Sequence, residues 1–266
     1  MASVAWVNHP LFRDFEEWCM STGNEVIMEY MFQWSEEPIP VTSASAPLGR
    51  LGLKEEAAGK VRVFAMVDPY TNWVLKPLHK ILQKYLRGIP QDGTFDQHKP
   101  VKLLQSKGHK SFWCYDLSAA TDRLPLAIQT ALLSPVLGEE RASIWGRLLT
   151  EREYTLLMDS YKYAVGQPMG ALSSWVMLAL THHFIVQLAA LRAKAGYEGK
   201  GSSRMWRTSA EFTWFEDYAV LGDDIVIFDT NLANQYLEVM KQLGLEINLS
   251  KSINSSSSPV FEFAKR

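Results

Sequence analysis

The sequence predicts an α+β fold, built as one large domain or two intimate lobes. Three observations lead there. Apolar runs of strand length and segments of helical periodicity do not alternate as a regular βαβ series, which disfavours a doubly wound parallel sheet. Two β-rich runs, Tyr218–Leu221 and Ile225–Phe228, are separated only by Gly222, Asp223 and Asp224, and a tight glycine-containing connection signals an antiparallel hairpin. The 266 residues are 47% hydrophobic and 21% charged, which suits a sizeable core and excludes a disordered, collagen-like or disulfide-stapled chain.

Along the chain, residues 11–34 show helical periodicity through Leu11, Phe15, Trp18, Val26, Met28 and Met31, interrupted at Gly23. Glu36 to Gly59, with Pro and Gly breakers and a Ser/Ala run, reads as a loop. Val61–Val67 is a short apolar run. Thr71–Arg87 is a helix on which Lys76, Lys80, Lys84 and Arg87 recur at i, i+4, i+8 and i+11 as one basic stripe. Residues 88–110 are loop-rich and basic, Ser111–Tyr115 is a strand, and Leu124–Leu137 is a helix with Asp122 near its cap. Gly166 to Gly170 turns into a long apolar helix, and Gly196–Arg207 is a Gly/Ser/Lys/Arg loop. After the hairpin, Leu232–Leu243 is a helix stopped by Gly244. Glu246–Leu249 and Pro259–Phe263 are closing strands joined by a Ser-rich loop.

The net charge of −2 argues against coating nucleic acid through bulk charge but leaves room for a local basic groove. Two cysteines, Cys19 and Cys114, make neither a metal-ligand spacing nor a disulfide framework, so a reducing compartment is expected. The N-terminal residues have neither the basic start and apolar core of a secretory signal nor the acid-poor character of a transit peptide. Ala171–Leu191 lacks any Asp, Glu, Lys or Arg and is long enough to span a bilayer. Its Ser173, Ser174, Thr181, His182, His183 and Gln187 favour a core helix instead, so no stable membrane span is expected. Adjacent His182 and His183 point to different helix faces, which argues against a shared metal site and favours core or supporting residues.

The chemistry-bearing residues are acidic. Asp223 and Asp224 sit at the hairpin turn, where like charges are costly unless solvated or paired with cations. A solvent-exposed turn would explain them equally well on their own. Phe112-Trp113-Cys114-Tyr115, however, runs directly into Asp116, at a strand end where a carboxylate has no packing purpose. If that strand lies beside the hairpin, the carboxylates converge as they do where two magnesium ions are held about 3.5–4 Å apart for in-line phosphoryl transfer.

The ordered set of motifs is more specific than any one of them. Gly59-Lys60-Val61-Arg62 is followed by Asp116-Leu-Ser-Ala-Ala-Thr-Asp122, by Gly166-Gln-Pro-Met-Gly170-Ala-Leu-Ser173-Ser174, and by Leu221-Gly222-Asp223-Asp224. Leu243-Gly-Leu-Glu-Ile-Asn-Leu-Ser-Lys251 and Phe261-Glu-Phe-Ala-Lys265 complete the series. This series resembles motifs F, A, B, C, D and E of viral RNA-dependent RNA polymerases. The wording is most similar to that of mitoviruses, capsidless RNA replicons of mitochondria, and of their copies captured in plant genomes. The resemblance covers at least Gly59 to Arg266.

The resemblance implies a right-hand polymerase palm with an antiparallel sheet and packed helices, residues 1–58 being an N-terminal helical or fingers remnant and 59–266 the fingers–palm core. It implies only partial fingers and no thumb, since the chain ends just after the last palm motif. Asp116 and Asp223 would be metal ligands for two Mg2+ ions, with Mn2+ a possible substitute and Asp224 assisting. Asp122 would read the ribose 2′-OH. Gly166 and Gly170 would let the backbone flex against template and nascent strand, and Ser173 or Ser174 would bond near the incoming sugar. Many positive-strand RNA polymerases carry an Asn on that helix; here the segment offers serines. Lys60 and Arg62 would neutralise the triphosphate. Lys251 is either a general acid for the departing pyrophosphate or a solvated loop lysine. Lys265 would lie near the primer strand, and Lys76, Lys80, Lys84 and Arg87 either line an RNA channel or form a solvated helix face.

The implied partners are RNA template and product and ribonucleoside triphosphates, and the implied location is the mitochondrion. Two readings remain open: an enzyme that extends RNA on RNA, or a captured remnant with residual RNA binding. A reverse transcriptase fits poorly, because Leu221-Gly222 precede the acidic pair and Asp122 stands where those enzymes place a bulky aromatic.

Overall fold

The computed structural model describes residues 2–7, 9–35, 47–56, 59–109, 111–196, 213–248, 252–255 and 263. The first elements are α1 (Ala2–Val7), α2 (Phe12–Thr22), α3 (Glu25–Ser35), β1 (Gly49–Glu56), β2 (Lys60–Val67) and α4 (Pro69–Arg87). Then come α5 (His98–Gln105), β3 (Phe112–Asp116), α6 (Ala120–Arg123), α7 (Leu126–Leu137), α8 (Glu139–Thr150), β4 (Tyr154–Leu156) and β5 (Asp159–Tyr161). The chain finishes with α9 (Ser174–Lys194), β6 (Tyr218–Leu221), β7 (Asp224–Ile227), α10 (Thr230–Gln242) and β8 (Ile253–Ser255). The mixed content and largely antiparallel pairing, β1 with β4 being parallel, are those of an α+β fold. Two compact units result: Met1–Leu82 with Leu124–Trp175, and Gln83–Arg123 with Val176–Arg266.

In the first unit the sheet order is β2-β1-β4-β5. Gly23 ends α2 in the left-handed conformation (φ 70°), as the interrupted periodicity predicts. The loop expected over Glu36–Gly59 is corrected in its second half. Residues 49–56 form β1, paired antiparallel with β2 from Gly49↔Val67 to Glu56↔Lys60. Charged, outward-facing Arg50, Lys54 and Glu56 hid that strand, and its pairing with β2 overrides the weak local propensity. Residues 36–46 lie outside the described residues.

Arg152 is the organising side chain of this unit. It is fully buried and donates to the Asp68 carboxylate at 2.7 Å, to the Thr71 hydroxyl at 2.9 Å, and to the carbonyls of Leu48 and Leu148 at 3.1 and 2.7 Å. Asp68 also receives the Trp6 indole N–H at 2.9 Å and the Thr71 amide at 3.1 Å. Four of the five guanidinium N–H groups and both carboxylate oxygens are thus bonded, which meets most of the condition under which a buried ion pair is tolerated. One cluster ties α1, the start of β1, the end of β2, the first turn of α4 and the end of α8.

In the second unit β3 lies inside a sheet of order β6-β7-β3-β8. The segment 88–110, expected to be loop-rich, contains α5, a short helix that buries Pro100 and Leu104 and exposes Lys102. Val101 and Leu104 pack on the sheet face that carries Phe112, Cys114, Ala219 and Val226. Asp122 is not the cap of the following helix. It lies inside α6, and Pro125, which disfavours a helical Leu124, separates α6 from α7. The expected closing strands are also revised. Ile247 makes only a bridge to Leu117, and the strand that follows is β8, paired with Phe112–Cys114; residues 249–251 and 256–262 lie outside the described residues. The polar composition of Ile253-Asn254-Ser255 gives no strand signal of its own.

Helix α9 is the one helix among the described residues long and apolar enough to cross a membrane, and 67% of its most apolar window is buried. That burial is what the sequence predicts for a core helix.

Replacing Arg152 with Ala strands the Asp68 carboxylate, and the expected loss of unfolding free energy is about 3–5 kcal/mol. Urea denaturation of the variant measures it; a loss below about 1 kcal/mol would show that the cluster does not organise the unit.

Candidate active site

The hairpin is tighter than its sequence suggests. Leu221 pairs with Asp224, so Asp224 belongs to β7 and the loop is only Gly222 and Asp223. Gly222 has φ 61°, the sign that the first loop position of a type II′ turn requires and that a Cβ disfavours. Tightening the loop fixes the register, and register fixes which carboxylates meet.

β3 pairs antiparallel with β7, and Asp116 stands directly opposite Asp224. Directly opposed side chains project to the same face, with Cβ atoms about 4.5–5.5 Å apart. Asp223 adjoins them in the turn, its carbonyl accepting from the Leu117 amide at 3.4 Å. On the other side the Asp116 carbonyl accepts from the Asn248 amide at 2.9 Å, and the Glu246 carbonyl from the Ser118 amide at 3.0 Å. All three aspartates are partly buried. The convergence expected from sequence is therefore present in the backbone. Among the described residues, no three His, Cys, Asp or Glu side chains are placed so that together they could hold a metal ion.

The turn is backed by α9. His182 Nδ1 lies 2.7 Å from the Gly222 carbonyl oxygen, and Nε2 lies 2.8 Å from the Tyr236 hydroxyl. Burial pushes the His182 imidazole down to about 4, so it is neutral at physiological pH. His183 reaches the Tyr218 hydroxyl at 2.8 Å and the Asp92 carboxylate at 3.0 Å. The two rings are divided as the helix geometry predicts. Their attachment to the hairpin joins residues 40 and 35 positions apart, and no local pattern signals it. The only hint is a pair of histidines in a stretch, Ala171–Leu191, that has no Asp, Glu, Lys or Arg.

The other sequence-predicted residues fall as follows. Asp122 is exposed on α6, which starts after Ala119, a non-glycine residue with φ 49°. Lys60 and Arg62 are exposed on β2 in the first unit, where Arg62 pairs with Glu56 at 2.9 Å. Such a surface pair is worth little and can exchange partners. Lys76, Lys80, Lys84 and Arg87 are all exposed along α4, and the Arg87 guanidinium stacks 3.7 Å from the Phe95 ring centroid. Lys251 and Lys265 lie outside the described residues.

The Gly166–Ser174 segment lies in the first unit. Gly166 is buried, and the Gly170 amide donates to the Ala65 carbonyl at 2.8 Å; a Cβ on Gly170 would sit 2.2 Å from that oxygen. Glycine here is required by close approach to β2. Ser173 is buried at φ 74°, a conformation costing a non-glycine residue roughly 1–2 kcal/mol. Its hydroxyl accepts the Trp145 indole N–H at 2.9 Å, and its amide donates to His79 Nδ1 at 3.1 Å. Ser174 is also buried, and its carbonyl accepts from Gln167 at 3.2 Å. The Ser173 hydroxyl is thus engaged by protein, while the Ser174 hydroxyl is buried with no hydrogen-bond partner among the described residues.

The family model described as mitovirus RNA-dependent RNA polymerase matches residues 7–266. The chain belongs to that family. It is 41% identical over 222 residues to the RNA-directed RNA polymerase of Cryphonectria parasitica mitovirus 1, covering 82% of this chain and 25% of that protein. Two mitochondrial proteins of Arabidopsis thaliana are 39% and 31% identical, over 68% and 63% of this chain and 68% and 77% of their own lengths. The chain thus spans a quarter of the viral polymerase it matches. Among solved structures, the apo telomerase of Candida tropicalis shares the fold at a TM-score of 0.55 and 11% identity, covering 90% of this chain and 50% of that one. The RNA-dependent RNA polymerase of a human picobirnavirus does so at 0.52 and 17%, covering 79% and 42%. The fold expectation from sequence, a polymerase palm in an α+β chain, is borne out by these likenesses.

Because like charges directly opposed across strands destabilise a sheet, neutralising one of them is expected to leave stability unchanged or raise it by up to about 1 kcal/mol. Thermal and urea unfolding of Asp116→Asn in metal-free buffer checks this. A clear loss of stability would mean that the carboxylate is anchored by contacts stronger than the repulsion.

Proposed function

We propose that this chain carries the palm and part of the fingers of an enzyme that extends RNA on an RNA template by nucleotidyl transfer. The observation that carries the reading is the opposition of Asp116 and Asp224 across β3 and β7, with Asp223 in the adjoining two-residue turn. Membership of a polymerase family supplies the reaction class. Residues 59–266 are assigned to the fingers–palm core and 1–58 to an N-terminal helical or fingers remnant.

The donor set fits a hard divalent cation. Carboxylate oxygens are the ligands that Mg2+ prefers, with Mn2+ a substitute, and an open set suits an ion that keeps waters and takes further oxygens from substrate phosphates. Asp116 and Asp223 would hold two such ions, with Asp224 assisting. Bound there, the metal supplies a more acidic primer hydroxyl and neutralises charge on the transferring phosphoryl group.

The chain's own groups do the rest by positioning. Asp122 is assigned to the ribose 2′-OH, for which a carboxylate is a strong acceptor. Lys60 and Arg62 are assigned to the triphosphate, and Lys251 to delivering a proton from its ammonium to the leaving pyrophosphate. In the Gly166–Ser174 segment, the contribution we assign to Gly166, Gly170, Ser173 and Ser174 is shape: close backbone approach and a locked turn support a nucleotide-binding surface. Lys76, Lys80, Lys84, Arg87 and Lys265 are assigned to RNA phosphates. The mitochondrial relatives in Arabidopsis support the mitochondrion as the place of action.

The test is template-directed incorporation of labelled ribonucleotides by the purified chain with Mg2+. Incorporation should require RNA template and fall at least 100-fold in Asp223→Asn, while Asp122→Ala should weaken discrimination against deoxyribonucleotides. Normal turnover by Asp223→Asn would overturn the metal assignment, and unchanged sugar selectivity in Asp122→Ala would overturn that of Asp122. No incorporation by folded protein, with RNA still bound, would favour the second reading, a polymerase fragment that binds RNA without extending it.

A further inference from the structure

The adjacent histidines of α9 take no part in the roles above, yet they are among the most deliberately satisfied polar groups of the second unit. Both are buried, at 0% and 1% exposure. An imidazole in such a place is costly unless both nitrogens find partners. A carbonyl oxygen only accepts, so His182 carries its proton on Nδ1 and donates it to Gly222; Nε2 then accepts from the Tyr236 hydroxyl. His183 is turned the other way. A carboxylate only accepts, so Nε2 donates to Asp92 at 3.0 Å, while Nδ1 meets the Tyr218 hydroxyl at 2.8 Å, whose oxygen also receives Gln187 Nε2 at 3.3 Å. Asp92 is itself fixed to the hairpin edge, since Val220 donates to the Gln91 carbonyl at 3.0 Å and accepts from the Gly93 amide at 2.8 Å.

Successive helical residues diverge by about 100°, so the two rings grip two points of one hairpin. His183 holds Tyr218, where β6 begins, and His182 holds the turn, where β6 ends. The carbonyl that His182 grips belongs to the peptide joining Gly222 to Asp223. Its plane, fixed by peptide resonance, sets the backbone from which Asp223 projects. The grip comes from a neutral donor. It resists the mutual repulsion of Asp116, Asp223 and Asp224 without placing a cation beside them.

We propose that His182 is a positioning residue for the acidic turn: its Nδ1–H···O=C bond to Gly222 orients Asp223 and Asp224 for divalent-cation binding, with His183 anchoring the base of the same hairpin. This rests on the reading of those aspartates as a metal site and adds the residue that aims them.

Three substitutions separate this role from core filling. In His182→Asn the amide nitrogen falls near the Nδ1 position and keeps a donor for Gly222. In His182→Gln the amide reaches instead toward Tyr236, and His182→Phe fills the space with no donor. Mn2+ binding to the purified chain, followed by the spin resonance of the free ion, should weaken about 10-fold or more in Gln and Phe and stay within about 3-fold of wild type in Asn. Amide hydrogen exchange over residues 221–224 should quicken in Gln and Phe and be restored in Asn. Should Phe fail to fold, the Asn and Gln pair decides. The proposal is overturned if Gln matches wild type in either measurement, or if Asn restores nothing. If the wild-type chain shows no Mn2+ binding that Asp223→Asn removes, the metal reading fails, and exchange at the turn alone decides whether His182 holds it.

Discussion

Electrostatic repulsion between carboxylates held close at one end of a sheet is the constraint around which the second unit is arranged. Antiparallel pairing sets Asp116 against Asp224, and a two-residue loop brings Asp223 alongside. Nothing in core packing rewards this arrangement, and cross-strand like charges oppose it. The sheet holds it through surroundings that are rigid and largely neutral. Apolar neighbours Phe112, Cys114, Ala219 and Val226 fill one face. On the other, Tyr115 stacks on Tyr236, whose hydroxyl meets His182. The backbone of Asp116 is tied to Asn248 on one side and that of Asp223 to Leu117 on the other.

The first unit solves a different problem. It must hold a segment with irregular backbone, Gly166 to Ser174, in one conformation. Gly170 lies against the Ala65 carbonyl, and Ser173 is kept in the left-handed region by Trp145 and His79. Such strain persists only where surrounding contacts over-determine it, and it concentrates at functional segments. Arg152 and Asp68 provide the rigid base by joining several elements through one hydrogen-bond network.

The legible parts of this protein were those specified by local chemistry. Gly23 and Gly244 stop helices because a left-handed residue after the last turn favours glycine. The hairpin and the strand leading to Asp116 were readable from apolar runs ending in carboxylates. What escaped depends on distant partners. β1 is polar and exists because β2 pairs with it, β8 is an edge of Ile, Asn and Ser, and α5 is too short to announce itself. Asp224 looked like loop because its pairing with Leu221 and Asp116 is a property of register. The hydrogen bond from His182 to Gly222 spans 40 residues, so sequence could mark the histidine as internal without saying what it holds.

The account stands on the claim that Asp116, Asp223 and Asp224 form a divalent-cation site. Anomalous diffraction from crystals of this chain soaked in Mn2+ tests it most directly. The account predicts a Mn2+ peak within about 2.5 Å of carboxylate oxygens from Asp116 and Asp223. Ordered Mn2+ elsewhere, with both carboxylates well resolved and unliganded at saturating metal, would contradict it.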